Sequence, residues 1–598
     1  MQFDKYKTSD ESKLKNAILT IAYDYQVEES LWSKKDKALS DLKKATTIIP
    51  NLLRKINEPK ELRENVLVEI PSFFDENLDE NQQEAVIKTL SLDNDSEILL
   101  IQGPPGTGKT TTITEMIRQI QKRYRHAKIL VASQSNQAVD NVLEKISTNE
   151  DKILRIGNDE SKMSDIAKQF IPNKVLDRLI KDNRAQIKAN PISDENPNID
   201  TKLKELQSDF DKALQTITAK MAKQEKSKES ELATLFLKNI RVIFGTLLGI
   251  SSWKDFRNIV FDFAIIDEAG RATLSELCVP CIKARHIVLV GDHKQLAPVI
   301  DDEIASNLNS DFPKKEVGTS FFERYFERLS EKKTEVPHLD NFRHRLIYNY
   351  RAEHKICDLY NQPFYEGELK EAKAIKGKRE HNLSPLFHSS AVWIDTGKRD
   401  DREDTQVGTG KINHCNASII LHTLKILLDK SKEQNLSHSI GIITPYRAQT
   451  NLLKDKLKGI KAEFKEIYAD KASDDKDLRN GFDIGTVDSF QGSDRDIIIY
   501  DCVRSSKAKN SKEDREERSG GKIDFIADEK RLNVSLSRAK KLLIIIGDME
   551  FLYRASVSEG INPFYKIIDF IHKHKESYHI IRAPQTQNKG GKKWLRKK

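Results

Sequence analysis

The chain has 598 residues, of which 32% are charged and 38% hydrophobic, with a formal net charge of +8. That length allows three or four domains, each with a core of its own. No apolar run approaches the ~18 residues needed to cross a bilayer, and no basic-then-apolar leader opens the chain, so a soluble intracellular protein is expected, cytoplasmic or nuclear, with no membrane partner.

Up to about residue 74 the chain is polar, with apolar residues at helical spacing (Leu39, Leu42, Leu52, Leu53, Ile56) broken by Pro50 and Pro59. This predicts a short helical extension, too short for a β-barrel, a Cys/His zinc domain or a nuclease domain. From residue 75 the pattern changes to that of an α/β domain, expected to run to about 338. A helix opens near Leu78–Val86, where Gln82 could read an adenine edge with its paired donor and acceptor. The apolar run Ile98–Gln102 then breaks into Gly103-Pro104-Pro105-Gly106-Thr107-Gly108-Lys109-Thr110, followed by a helical pattern to about Arg123. A strand that turns through such a loop into a helix aims backbone N–H groups at one spot, where a polyphosphate fits. Gly106 and Gly108 allow close approach, Lys109 reaches the β/γ-phosphates, and Thr110 offers its hydroxyl to Mg²⁺.

Further short apolar runs, Lys128–Ser133, Arg241–Thr246, Phe261–Ile266 and His286–Val290, alternate with helical stretches. Near-continuous apolar strands of this kind predict a parallel sheet covered on both faces, with ligands at the carboxyl ends. One run ends in Asp267-Glu268-Ala269-Gly270. Asp267 could hold Mg²⁺ and Glu268 could polarise the attacking water. Another ends in Gly291-Asp292-His293-Lys294-Gln295, where Gln295 could sense the γ-phosphate. Between the runs Lys128–Ser133 and Arg241–Thr246, residues 158–238 form a charged insert with heptad-like spacing (Leu203, Phe210, Leu214, Ile217, Met221), which predicts an antiparallel helical hairpin.

From 339 to 575 a second α/β domain is expected. Its motifs are Asn349-Tyr350-Arg351, Pro363-Phe364-Tyr365-Glu366-Gly367, Ile442-Ile443-Thr444-Pro445-Tyr446-Arg447-Ala448-Gln449, Gly485-Thr486-Val487-Asp488-Ser489-Phe490-Gln491-Gly492 and Arg531-Leu532-Asn533-Val534-Ser535-Leu536-Ser537-Arg538-Ala539. Gly397–Lys411 and Ser505–Lys522 are charged and unpatterned and read as flexible loops. A last helix presents Phe564, Ile567, Ile568 and Ile571 for packing, with His572 and His574 on the surface. Six of the net positive charges lie in a tail, 576–598, around Trp594, an arrangement suited to non-specific contact with nucleic acid. Five scattered cysteines argue for a reducing compartment, and the lone pair Cys278/Cys281 reads as buried thiols and not as a zinc site.

These motifs, in this order from about Leu78 to Asp548, resemble those of superfamily 1 helicases, especially the Upf-like group. The resemblance implies an α/β fold of two RecA-like parallel-sheet domains in tandem, with ATP and Mg²⁺ in the cleft. Arg351 and Arg538 would act as fingers on the γ-phosphate, joined by Glu268 and Gln295 in catalysis. Gln82 and Tyr350 would hold the adenine, Gly103 to Thr110 the phosphates, and Gly492 and Asp494 lie where the family meets the ribose. Asp494 is one methylene shorter than the family's Glu. Ser133, Asn136, Thr246, Pro445, Tyr446 and Thr486 correspond to the family's track for single-stranded RNA or DNA, which suits sequence-independent binding. The chain departs from the pattern at Ala352-Glu353-His354 after the finger and at Asn416, where a Glu is usual. Two functions follow from the likeness: a helicase moving 5′ to 3′ on single strands, or an ATP-gated nucleic-acid clamp within a larger assembly.

Overall fold

A computed structural model describes residues 29–59, 62, 64–92, 98–147, 152–157, 159–175, 178, 240–252, 256, 259–298, 319–468, 481–506 and 523–585. These divide into two compact units: one takes residues from 1–102, 110–291 and 298–344, the other from 103–109, 292–297 and 345–598.

The first unit is built on β1 (Ile98–Gln102), β2 (Ile129–Ser133), β3 (Ile153–Ile156), β4 (Val242–Thr246), β5 (Phe261–Asp267), β6 (Ala284–Gly291) and β7 (Arg343–Arg345), in a seven-stranded sheet of order β3-β4-β2-β5-β6-β1-β7. The pairings among β1 to β6 are parallel. β1, β2 and β3 are buried at every position, as a sheet covered on both faces requires. Register brings the carboxyl ends together: Ser133 of β2 lies opposite both Thr246 of β4 and Asp267 of β5, and Gln102 of β1 lies opposite Gly291 of β6. Strand β6 therefore separates the strand that enters the phosphate loop from the strand that ends in Asp267.

Helices begin where the sequence supplies caps. Asp79 accepts from the backbone of Asn81 and Gln82, and Gln82 reaches back to the Asp79 backbone, which starts the helix Glu80–Leu90 with a capping box. Ser135 caps Asn136–Ile146, and Thr273 with Glu276 caps Leu274–Cys281. The N-terminal stretch is helical over 29–43 and again at Leu52–Asn57, with Ala38, Leu42 and Leu52 buried. Lys35 pairs with Glu276 at 3.2 Å, and Tyr325 donates to the Lys55 carbonyl, so this stretch is docked on the first unit. From residue 64 to Asp79 the chain has no helix or strand and is pinned by Phe74 N and Asp75 N, which donate to the two oxygens of Glu115.

The second unit contains β8 (Tyr348–Asn349), β9 (Lys370–Glu371), β10 (Ala391–Asp395), β11 (Thr405–Val407), β12 (Gly410–Ile412), β13 (Ile440–Thr444), β14 (Asp483–Thr486), β15 (Arg495–Asp501), β16 (Ala539–Gly547) and β17 (His579–Arg582). Six of them form an all-parallel sheet of order β14-β13-β15-β16-β10-β17. One face packs against the helices His354–Tyr365 and Pro563–Lys573, where Phe564, Ile567, Ile568 and Ile571 are buried. The other packs against His414–Gln434 and Arg447–Tyr468.

Part of the expected flexible loop 397–411 is ordered, because β11 and β12 form an antiparallel hairpin there. Its charges are paired with partners distant in sequence, which a reading of local composition misses. Asp404 takes Lys411 at 2.6 Å and Arg504 at 3.1 Å, and Arg402 meets Asp548 at 3.0 Å. Most of the insert and its heptad positions, most of Ser505–Lys522 and the basic tail with Trp594 lie outside the described residues. All five cysteines are free and buried, and burial pushes the Cys278 thiol up to about 12. Among the described residues, no helix is long and apolar enough to cross a membrane.

Candidate active site

The phosphate loop leaves β1 at Gln102 and enters the helix Lys109–Arg123. Gly106 and Gly108 have φ of +76° and +78°. At Gly106 a Cβ would stand 2.5 Å from the Arg351 Cβ and 2.6 Å from Asn349 Oδ1, so neither the backbone conformation nor the space admits a side chain. Thr107 is buried and its hydroxyl donates to the Pro104 carbonyl at 2.8 Å, which tightens the turn. Lys109 Nζ donates to the Gly103 carbonyl at 2.6 Å, folding the side chain over the loop.

The second unit, which includes this loop, brings the candidate fingers to it. Tyr350 N donates to the Gly106 carbonyl at 2.7 Å, and Asn349 Oδ1 accepts from Arg351 N at 3.0 Å. Arg351 Nε lies 2.9 Å from Asp494 Oδ2, and its Nη1 donates to the Ser537 carbonyl at 3.1 Å. Arg538 is buried; its Nε donates to the Val534 carbonyl at 3.0 Å and its Nη2 to Gln295 Oε1 at 3.4 Å. Gln295 Nε2 in turn donates to Asp292 Oδ2 at 2.8 Å, and the Tyr365 hydroxyl donates to the same oxygen at 2.6 Å. Asn533 Nδ2 donates to that hydroxyl at 2.7 Å. Asp292, Tyr365 and Asn533 stand inside motifs visible in the sequence, yet nothing local to any of them reveals this chain of bonds.

Asp494 accepts from two sides, since Lys540 Nζ is 2.6 Å from its Oδ1. Burial favours the neutral form and pushes its pKa up, but Arg351 and Lys540 outweigh that and hold the carboxyl below its ordinary range. Gly492 is in the left-handed region at φ +79°. The departure after the finger leaves a well-formed helix start: Glu353 caps His354–Tyr365 by accepting from Lys355 N at 2.9 Å. At the other departure Asn416 Nδ2 donates to Asp501 Oδ1 at 2.8 Å and Gln449 Nε2 to Oδ2 at 2.6 Å. Burial pushes Asp501 up to about 6 against those donations. A glutamate at 416 would set a second carboxylate against the first, whereas the amide donates to it.

In the first unit, Asp267 is the buried last residue of β5, and its Oδ1 accepts from Glu268 N at 2.8 Å. Glu268 is left-handed (φ 56°, ψ 31°) at the start of the turn Ala269–Arg271. A non-glycine residue in that region costs roughly 1–2 kcal/mol and is concentrated at functional sites. Gly291 packs on this turn so closely that a Cβ would be 2.6 Å from Gly270 N. Thr110 opens the helix, and its carbonyl accepts from Thr114 Oγ1. Gln82 is buried and spends its Oε1 on the capping box. The side-chain carboxylate of Asp267 and the hydroxyl of Thr110 are hard oxygen donors of the kind Mg²⁺ prefers.

The candidate nucleic-acid residues sit at strand ends in both sheets. Ser133 and Thr246 are in register in the first, and Thr486 is in register with Thr444, just before Pro445 and Tyr446, in the second. Asn136 Oδ1 accepts from the buried Arg155 at 2.7 Å, so Arg155 orients that amide. Thr246 Oγ1 accepts from Gly249 N at 3.1 Å. Tyr446 is half-buried, stacked on the exposed Phe525 with ring centroids 5.2 Å apart. Phe525 was not singled out by the sequence; the guanidinium of Arg531, named there only as the first residue of a motif, lies 5.1 Å from its ring.

Two parallel sheets in tandem, the first giving way to a glycine-rich phosphate loop with an acidic strand end one strand removed, make this a tandem RecA-like P-loop ATPase. Two models described as AAA domains match residues 77–303 and 319–550. The DNA polymerase alpha-associated DNA helicase A of Schizosaccharomyces pombe is 27% identical over 83% of this chain and 67% of its own length. The ATP-dependent helicase upf1 of the same yeast is 30% identical over 79% of this chain and 45% of its own, so the chain spans less than half of that relative. An uncharacterized ATP-dependent helicase of Methanocaldococcus jannaschii is 27% identical over 93% of this chain and 80% of its own. The chain belongs to the Upf1-like superfamily 1 helicases, enzymes that hydrolyse ATP.

Proposed function

We propose that this chain uses ATP hydrolysis to move 5′ to 3′ along single-stranded RNA or DNA and to separate paired strands. The supporting observation is the packing of Asn349–Arg351 directly on the phosphate loop, with Arg538 joined to Gln295 in the same unit. Charge-assisted donors held beside the phosphate loop would, on this proposal, act with little reorganisation when charge develops. In this reading Lys109 and the backbone of Gly103 to Gly108 hold the phosphates, Gln82 and Tyr350 hold the adenine, and Glu268 orients the attacking water. Gln295 passes the state of the γ-phosphate to Arg538. Thr110 and Asp267 would hold Mg²⁺, which when bound neutralises charge on the β- and γ-phosphate oxygens.

Ser133, Asn136, Thr246, Pro445, Tyr446 and Thr486 would contact phosphate, sugar and base faces, as sequence-independent binding requires. The curated relatives include helicases named for DNA and one named for RNA, so both polymers are candidates. The test is displacement of a labelled strand from duplexes carrying a 5′ or a 3′ single-stranded tail, in RNA and DNA versions, with and without ATP. ATP-dependent displacement from 5′-tailed duplexes alone is expected. Displacement only from 3′ tails would contradict the polarity, and ATP-controlled binding without displacement would make the chain a clamp.

A further inference from the structure

Asp494 is set among three cations: Arg351 at 2.9 Å and Lys540 at 2.6 Å pair with its two oxygens, and Arg538 adds its charge. Asp494 immediately precedes β15, and Lys540 lies on β16, whose residue Ala539 is in register with Arg495. Both partners are therefore carried by neighbouring strands of a buried sheet. The Lys540 carbonyl also accepts from Glu353 N at 2.9 Å, which ties β16 to the helix start that follows the finger. Asp494 Oδ2 engages Arg351 at Nε, and the Ser537 carbonyl engages Nη1. The carboxylate takes the Nε edge and the Ser537 carbonyl takes Nη1, so neither of these two contacts uses Nη2.

We propose that Asp494 is a positioning residue for Arg351: its carboxylate, fixed by the sheet and by Lys540, grips the Nε edge so that the remaining guanidinium donors meet the γ-phosphate. This rests on the reading of Arg351 as a finger, and it departs from the ribose contact that the family likeness implies for this position. The two roles have opposite kinetic signatures. A ribose ligand contributes to ground-state binding, so its loss raises KM and weakens discrimination between ATP and 2′-deoxy-ATP. A positioning carboxylate acts in the transition state, so its loss lowers kcat. Removing its charge from among three cations leaves attraction for the nucleotide phosphates undiminished, so KM should stay level or fall.

The experiment is steady-state turnover of ATP and 2′-deoxy-ATP at saturating single-stranded oligonucleotide, for the intact chain and for Asp494→Asn, Asp494→Glu, Arg351→Ala and the double variant Arg351→Ala/Asp494→Asn. A misplacement of about 1 Å at a catalytic group can cost up to ~100-fold. Asp494→Asn is accordingly expected to lower kcat by roughly ten- to a hundredfold, with KM level or lower and the ATP to 2′-deoxy-ATP preference unchanged. Asp494→Glu should recover part of that loss, which also guards against a folding defect in the Asn variant. In the double variant the Asp494 change should add little to the loss from Arg351→Ala, since it acts through that side chain. A raised KM with kcat intact and a collapsed preference for ATP would overturn the inference in favour of a ribose contact. Losses that multiply in the double variant would overturn it as well. Unchanged turnover in Arg351→Ala would remove the finger itself, a failure separable from the case in which only Asp494→Asn is silent.

Discussion

Replacing Tyr365 with Phe tests whether the Gln295 network is a working unit. The hydroxyl is buried, donates to Asp292 Oδ2 at 2.6 Å and accepts from Asn533 Nδ2 at 2.7 Å. Asn533 keeps its bond to the Lys294 carbonyl, and Asp292 keeps Lys294 N at 3.1 Å and Gln295 Nε2 at 2.8 Å. Each partner keeps at least one other bond, although one Asn533 N–H loses its acceptor, so the cost is close to that of one hydrogen bond to a charged acceptor, about 1.5–3 kcal/mol. Because Asp292 holds the amide that meets Arg538, part of that loss should reach the transition state and lower kcat by up to about tenfold, the equivalent of ~1.4 kcal/mol. A urea titration read by far-UV circular dichroism, with ATP turnover measured in parallel, gives both numbers. A midpoint and a kcat both equal to those of the unaltered chain would show that the hydroxyl is a passenger and that Asp292 positions Gln295 without it.

Glu268→Gln should retain nucleotide binding, because Lys109, Thr110 and Asp267 are untouched, and lose most turnover; binding of a fluorescent ATP analogue beside the hydrolysis rate separates the two. Arg538→Ala should lower kcat by roughly a thousandfold or more with nucleotide affinity much less affected, whereas a rise in KM alone would make it a binding group. Asp501 has its folded pKa raised to about 6 by burial, so the native state holds this proton more tightly than the unfolded chain does. Its contribution is fully present below the unfolded value near 4 and is lost as pH rises through about 6, a change of order 2–3 kcal/mol. Denaturant midpoints from pH 4 to 7 should fall with this slope in the intact chain and lose it in Asp501→Asn.

The parts legible in the sequence were those whose physics is local. Ile98–Gln102 reads as a buried strand because each residue in it is apolar or at the strand end, and the structure gives β1 those bounds. Gly106 and Gly108 announce a left-handed turn, and the helix from Lys109 to Arg123 follows from its own periodicity. What the sequence withheld depends on long-range register. The hairpin at 405–412 is held by Asp404, Arg504 and Lys411, two of which lie close together while the third is about a hundred residues away. The pairing of Asp494 with Arg351 could not be read, because the two residues lie far apart in sequence. Asn416 read only as a departure from the usual Glu, because its partner Asp501, a carboxylate that an amide suits and a glutamate does not, lies 85 residues away on β15.

The central claim, that ATP hydrolysis here serves movement on single strands, is tested most directly by ATP turnover measured with and without saturating single-stranded RNA or DNA. The account predicts a rate raised at least about tenfold by one or both polymers, with the stimulation abolished in Glu268→Gln. A rate equal with and without either polymer would contradict it.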